Sequence, residues 1–194
     1  MARCLSLTSV TVLLVVFPVF AENGKTLTNE IKALHGVVRA DILASAERMP
    51  AEYFDFQPHP ELRTFGQLVG HIATNMFWFC STASGAKKPN PSIIEEKISA
   101  PFPQWALSPE GEKIAIVNRV DLLKALTAAH EFCDEAYATM DDVRGMENLK
   151  AGRERTRLSL FIQEIQHSSL HYGNMVTYMR LKEVVPASTV RRRW

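Results

Sequence analysis

The sequence predicts an all-α domain, a four-helix bundle with one long crossover between its second and third helices. Three observations carry this. Four segments repeat their apolar residues at the helical period, strand-like alternation is weak throughout, and a proline-rich stretch separates the second segment from the third. The chain has 194 residues, 46% hydrophobic and 22% charged, enough to bury one core. That composition argues against disordered, collagen-like and heptad-dominated classes. No internal repeat or low-complexity tract interrupts it, so one domain follows.

The first helix is expected over Thr28 to Glu47, ended by Met49-Pro50, where the proline disfavours helical geometry at the residue before it. The second opens at Thr64, whose hydroxyl can cap while Gln67 reaches back, and runs to about Ser81 with Phe65, Leu68, Ile72, Met76 and Phe79 as its apolar stripe. The crossover spans Gly85 to Val117 and holds Pro89, Pro91, Pro101, Pro103 and Pro109, half of the ten prolines. A connection of that length permits the second and third helices to run parallel. The third helix covers roughly Asn118 to Met140, with Leu122, Leu126, Ala129, Cys133 and Ala136 on one face. The fourth runs from about Thr156 to Lys182, with Leu158, Ile162, Ile165, Tyr172, Val176 and Met179 expected inward and Pro186 beyond its end.

Residues 1–21 read as a secretory signal peptide: Arg3 precedes an apolar run from Val10 to Phe20, and Val19-Phe20-Ala21 fits a small-residue cleavage site. The run is short for a membrane span, and no later stretch approaches the roughly 20 apolar residues that a span needs. An uncleaved N-terminal anchor is the competing reading. Cys4 lies ahead of the apolar run and not at the cleavage point, which argues against lipid attachment. The mature domain, 22–194, is expected to be secreted or periplasmic, with 21 basic against 21 acidic residues. The whole chain carries +1, so no basic field argues for nucleic-acid binding, and the Arg191, Arg192, Arg193 run reads as a solvated end. Export makes a disulfide between Cys80 and Cys133 possible, while two buried thiols acting as small apolar residues is the alternative.

The residues with chemistry are histidines. His167 and His171 are four apart on the fourth helix, which puts both imidazoles on one face about a turn apart, a geometry in which two nitrogens can bind one metal ion. Two ligands hold a metal weakly, and His71, in the middle of the apolar second helix, is the best third: a core-facing imidazole needs a hydrogen-bond partner or a metal. Three neutral histidines leave positions open for water or substrate, the pattern of a catalytic site. An exposed histidine pair with no ligand role is the plain alternative. The segment His167-Ser168-Ser169-Leu170-His171 lacks the glutamate of a zinc-protease helix, and Glu164-x-x-His167 has the spacing of a carboxylate-bridged di-iron site but occurs once. His35 and His130 suit surface or satisfied-core positions and His59 a loop. Asn75 and Asn174 stand where they could orient imidazoles or make ordinary polar contacts within a bundle.

Phe65-Gly66-Gln67-Leu68-Val69-Gly70-His71-Ile72-Ala73 followed by Phe77 to Cys80 resembles the second helix of the DinB-like superfamily. His167-x-x-x-His171-Tyr172-Gly173-Asn174, Val176-x-Tyr178-x-Arg180-Leu181-Lys182 and Val185-Pro186 are similar to its last helix and exit. Met49-Pro50, Phe54-x-Phe56-x-Pro58 and Phe132-Cys133-Asp134 fit as well. The chain departs at Glu183 and Ala187, where relatives often have glycine and a second proline, which bears on the helix exit more than on the site. The resemblance implies an up-down-down-up bundle and one divalent ion, zinc, nickel or iron, on His71, His167 and His171. It also implies a metal-dependent transferase or isomerase that uses a low-molecular-weight thiol; metal-assisted hydrolysis, with bound water as nucleophile, is a second enzyme reading, and in either the small-molecule substrate is not identified by the sequence. Export weakens the thiol-transfer variant, because low-molecular-weight thiols abound in the cytosol. A non-catalytic metal- or ligand-binding bundle of the cell envelope is the alternative, and homodimerisation is compatible with either.

Overall fold

A computed structural model describes residues 26–87 and 119–190. The elements are α1 (Leu27–Arg48), a 3-10 turn (Ala51–Tyr53), α2 (Phe65–Ser84), α3 (Arg119–Ala138), a short α4 (Asp142–Gly145), β1 (Asn148–Ala151), β2 (Arg153–Thr156), α5 (Arg157–Leu181) and a short α6 (Ala187–Val190). The chain is mostly helical. The expected signal segment, the terminal arginines and nearly all of the crossover lie outside the described residues.

Helix boundaries follow from local chemistry. The Thr26 hydroxyl accepts from the Asn29 N–H to start α1, and Met49, in extended geometry before Pro50, ends it. At α2 the expected reciprocal cap is complete: the Gln67 N–H donates to the Thr64 hydroxyl at 3.2 Å, and the Thr64 N–H to the Gln67 side chain at 2.8 Å. Thr156 caps α5 through the Ser159 N–H.

The all-helical expectation needs one correction. Residues 148–156 form an antiparallel hairpin turning at Gly152, whose φ of 73° suits a residue without Cβ. Its strands are four residues each; β1 alternates, with Leu149 and Ala151 half-buried against the core, but a run of four is too short to stand out as a strand in the sequence.

Long-range contacts fix which helices meet. On α2 and α3, Phe77 meets Phe132 and Cys80 is disulfide-bonded to Cys133, with Cα atoms 5.3 Å apart. Between α1 and α3, the Lys32 ammonium donates to the Met140 carbonyl at one end, and the Arg119 guanidinium donates to the Glu47 carbonyl at the other. Between α2 and α5, His71 faces His167, while Arg157 donates to the Ala83 carbonyl at 2.6 Å. Between α1 and α5, His35 meets Glu164 and Ser45 meets Tyr172. Phe65, Phe77, Phe161, Ile42, Ile72 and Met175 fill the space between them and are essentially unexposed.

The expected face of α3 is buried in full, and so is that of α2 except Phe79, which is half-buried. On α5 Leu158 and Met179 are buried and Ile165, Tyr172 and Val176 half-buried, as expected, but Ile162 is 47% exposed, and Leu160, Phe161, Glu164, Ser168, His171 and Met175 make the buried face wider than expected. Polar residues on the buried side of α5 hid its full width.

The exit from α5 is a Schellman turn: Val184 N–H donates to the Met179 carbonyl and Glu183 N–H to that of Arg180. Glu183 sits at φ 59°, the left-handed position that glycine ordinarily takes. Among the described residues no helix is long and apolar enough to cross a membrane.

Candidate metal centre

His71 lies in the middle of α2, and His167 and His171 lie one turn apart on α5. The three ring systems converge, with centroids 4.5 to 5.0 Å apart. One nitrogen from each lies within 4.8 Å of the other two, the one such group of histidine, cysteine or acidic residues among those described. His71 Nε2 and His167 Nε2 are 3.2 Å apart. Two nitrogens bound tetrahedrally to a zinc-sized ion, each at about 2.0–2.1 Å, would stand about 3.3 Å apart. The donor set therefore fits a divalent transition metal in chemistry, and the His71–His167 pair fits it in spacing.

The surroundings favour neutral imidazoles. Burial, then the Arg63 guanidinium, then the two other rings hold His71 down at about 3. Burial, His167 and Arg63 hold His171 at about 4. His167 is also lowered by burial, with the negative charge of Glu164 acting in the opposite sense. Unprotonated nitrogens are what a metal requires. The Asn75 amide nitrogen donates to the His71 carbonyl at 2.9 Å and lies 3.2 Å from Nδ1 of the same ring. The Asn174 amide nitrogen lies 3.4 Å from His171 Nδ1. Both asparagines thus stand against the imidazoles, as the sequence suggested. His167 Nδ1 is buried without a partner.

The other histidines stay apart from this group. His59 is exposed in its loop. His35 is a bonded core histidine, its Nδ1 2.9 Å from the Glu164 carboxylate. His130 is 1% exposed with neither ring nitrogen hydrogen-bonded, and burial, then His35, then Arg39 hold it down at about 3.

Sequence reasoning passed over two residues beside the site. Arg63 precedes the α2 cap with no motif to mark it; the Tyr178 hydroxyl donates to its carbonyl at 2.9 Å, and burial lowers its guanidinium to about 10. Phe79, expected only as a residue of the α2 stripe, is half-buried against the core and also lies against His167 with centroids 5.8 Å apart.

A family model described as the DinB superfamily matches residues 36–175. No curated protein matches the chain. Among solved structures, a conserved protein from Enterococcus faecalis is similar with a TM-score of 0.65 at 16% identity, covering 81% of this chain and 98% of its own. A DinB-like protein from Bacillus subtilis is similar with a TM-score of 0.57 at 19% identity, covering 80% and 93%. Both likenesses are of fold.

Proposed function

The chain belongs to the DinB superfamily, and on that premise we propose that it is an exported, metal-dependent member of it. In this reading His71, His167 and His171 hold one zinc, nickel or iron ion and act on a small-molecule substrate by transfer or hydrolysis. The observation that carries it is the convergence of three imidazole nitrogens from two helices within 4.8 Å of one another. The reading includes an up-down-down-up bundle of α1, α2, α3 and α5. It is supported by pairings that run in register along both helices: 66 with 122 and 80 with 133 for α2 on α3, 71 with 167 and 83 with 157 for α2 on α5.

A divalent ion on three neutral ligands keeps its charge and an open position, and supplies Lewis acidity that lowers the pKa of a bound water or thiol. The chain's own residues do the rest. His71, His167 and His171 offer unprotonated nitrogens, Asn75 and Asn174 limit rotation of two of the rings, and Phe79 lies against His167. Arg63 places a positive charge at the rim, suited to an anionic group on the substrate. Export is supported by the Cys80–Cys133 disulfide, a bond that persists in oxidising compartments.

One observation favours a non-catalytic metal-binding bundle as the second reading: among the described residues, the side chains that approach the His71 and His171 rings are the amides of Asn75 and Asn174, which can orient a ring but do not act as a general acid or base. Elemental analysis of the protein purified without chelator, beside His171→Ala, tests the shared premise. About one equivalent of metal, lost in the variant, is the expected result, and a wild-type protein that stays metal-free after incubation with zinc, nickel and iron overturns both readings. Screens of thiol-transfer and ester-hydrolysis substrates on the loaded protein then separate the enzyme from the binding bundle.

A further inference from the structure

The α2 side of the histidine cluster carries aromatic surface that the proposed function does not use. Trp78 is seven residues on from His71, two turns along α2 and within about 20° of the same face. Its ring meets that of Phe79 edge-on with centroids 4.8 Å apart, and Phe79 lies 5.8 Å from the His167 ring. Ring contacts therefore run from indole to phenyl to imidazole. Trp78 is nevertheless 44% exposed.

The helix surface between His71 and Trp78 is kept low. The Thr74 hydroxyl turns back to donate to the Gly70 carbonyl at 3.0 Å, and the Asn75 amide to the His71 carbonyl at 2.9 Å. Beyond the indole, the hydroxyls of Ser81 and Thr82 fold onto the Trp78 carbonyl at 3.1 and 2.7 Å. Short polar side chains held against their own backbone leave a level strip, with an imidazole at one end and an indole at the other. Seven residues of helix make that strip about 10 Å long, the scale of a small molecule with a head group, a short linker and one ring. Its area is too small for a protein partner: a stable interface covers roughly 800 Å² on each side, whereas a whole aromatic side chain offers about 150–250 Å². A few polar groups set beside aromatic side chains is the usual make-up of a small-ligand site.

We propose that Trp78 and Phe79 form an aromatic shelf of the three-histidine centre, and that its ligand is an aryl compound whose ring rests on the shelf while a metal-binding head group reaches the histidines. The inference deepens the metal reading above and rests on it. Trp78 is then a specificity-determining residue: it selects for the ring and leaves the hold on the ion to His71, His167 and His171.

The test uses the full chain loaded with zinc, as wild type, Trp78→Ser and Leu34→Ser, the last removing an equally exposed apolar side chain on α1. The probes are 3-phenylpropionohydroxamate and propionohydroxamate, which share a head group and differ by one ring. Calorimetry gives each Kd, elemental analysis the zinc content, and sedimentation the oligomeric state. Wild type is expected to bind the phenyl probe at least about fivefold more tightly than the alkyl one. Trp78→Ser should cut that ratio to less than half with one zinc per chain retained, and Leu34→Ser should leave it in place. A smaller ratio in wild type overturns the proposal, as does a ratio that survives in Trp78→Ser or falls as far in Leu34→Ser. A change of oligomeric state in Trp78→Ser also overturns it, by making the shelf an interface between copies. If Trp78→Ser does not fold, Trp78→Gln, a better helix former, is held to the same criterion. A wild type that holds zinc and binds neither probe removes this inference alone; a wild type that binds no zinc removes the metal reading with it.

Discussion

Removing the Cys80–Cys133 bond should cost the protein a large part of its stability. The bond closes a loop with a sequence separation of 53 residues between two helices that are buried against each other. In the chain-entropy account, a loop of that length restricts the unfolded chain by about 14 cal/mol/K, or about 4 kcal/mol at 25 °C. Residual structure in the unfolded state lowers the figure, so a loss of about 2–4 kcal/mol is expected. For a domain of this size that is a fall in Tm of roughly 4–16 °C. The assay compares urea unfolding of the oxidised protein with the same protein reduced by dithiothreitol and with Cys80→Ala, Cys133→Ala, with thiol titration confirming each redox state. The alanine pair controls for the reductant. A loss below about 1 kcal/mol in both forms would refute the reasoning, because it would mean that the bond does not restrict the unfolded chain.

Three further outcomes are expected. His130→Leu should raise stability at pH 7 by about 1 kcal/mol, because both ring nitrogens are buried without partners. The wild-type imidazole is held at about 3 when folded against about 6.5 when unfolded, so the unfolded chain takes up the extra proton and stability falls as pH drops from 6.5 toward 3; urea titrations across that range should show a shallower fall in the variant, and an equally steep one counts against this account. Glu183→Gly should add about 1 kcal/mol by relieving the left-handed residue at the α5 exit, and a thermal midpoint at or below wild type would contradict it. In the metal-free protein His71 and His171 should titrate far below an ordinary imidazole, at about 3 and 4, because burial disfavours their charged forms; ring-proton NMR titrations centred near 6.5 would show the rings to be ordinary histidines.

The parts of the fold that were legible in the sequence are those with local causes. Thr64 and Gln67 announced the start of α2, Pro50 the end of α1, and the spacing of His167 and His171 a shared face, because caps, prolines and helical periodicity act over a few residues. Glu183 was legible as a missing glycine, and its φ of 59° gives the reason. The hairpin was not, since the alternation of β1 lasts only four residues, with two apolar side chains, Leu149 and Ala151, on the core side. The full width of the buried face of α5 was not legible because Glu164 and Ser168 occupy inward positions that a hydrophobic stripe would fill, with Glu164 bonded to His35 on α1 and Tyr137 on α3. The approach of Arg63 to the histidines depends on how the loop before α2 meets the far end of α5, which no short window of sequence records.

The distance along the chain between His71 and His167, 96 residues, has a consequence for the order of assembly. Cys80 and Cys133 are both upstream of α5, so oxidation can lock α2 to α3 while the last long helix is still undocked. The three histidines, by contrast, come together only when α5 arrives. In the metal-binding reading, uptake would then wait on the packing of the C-terminal helix, and a chain truncated before α5 would hold both cysteines but one histidine of the three.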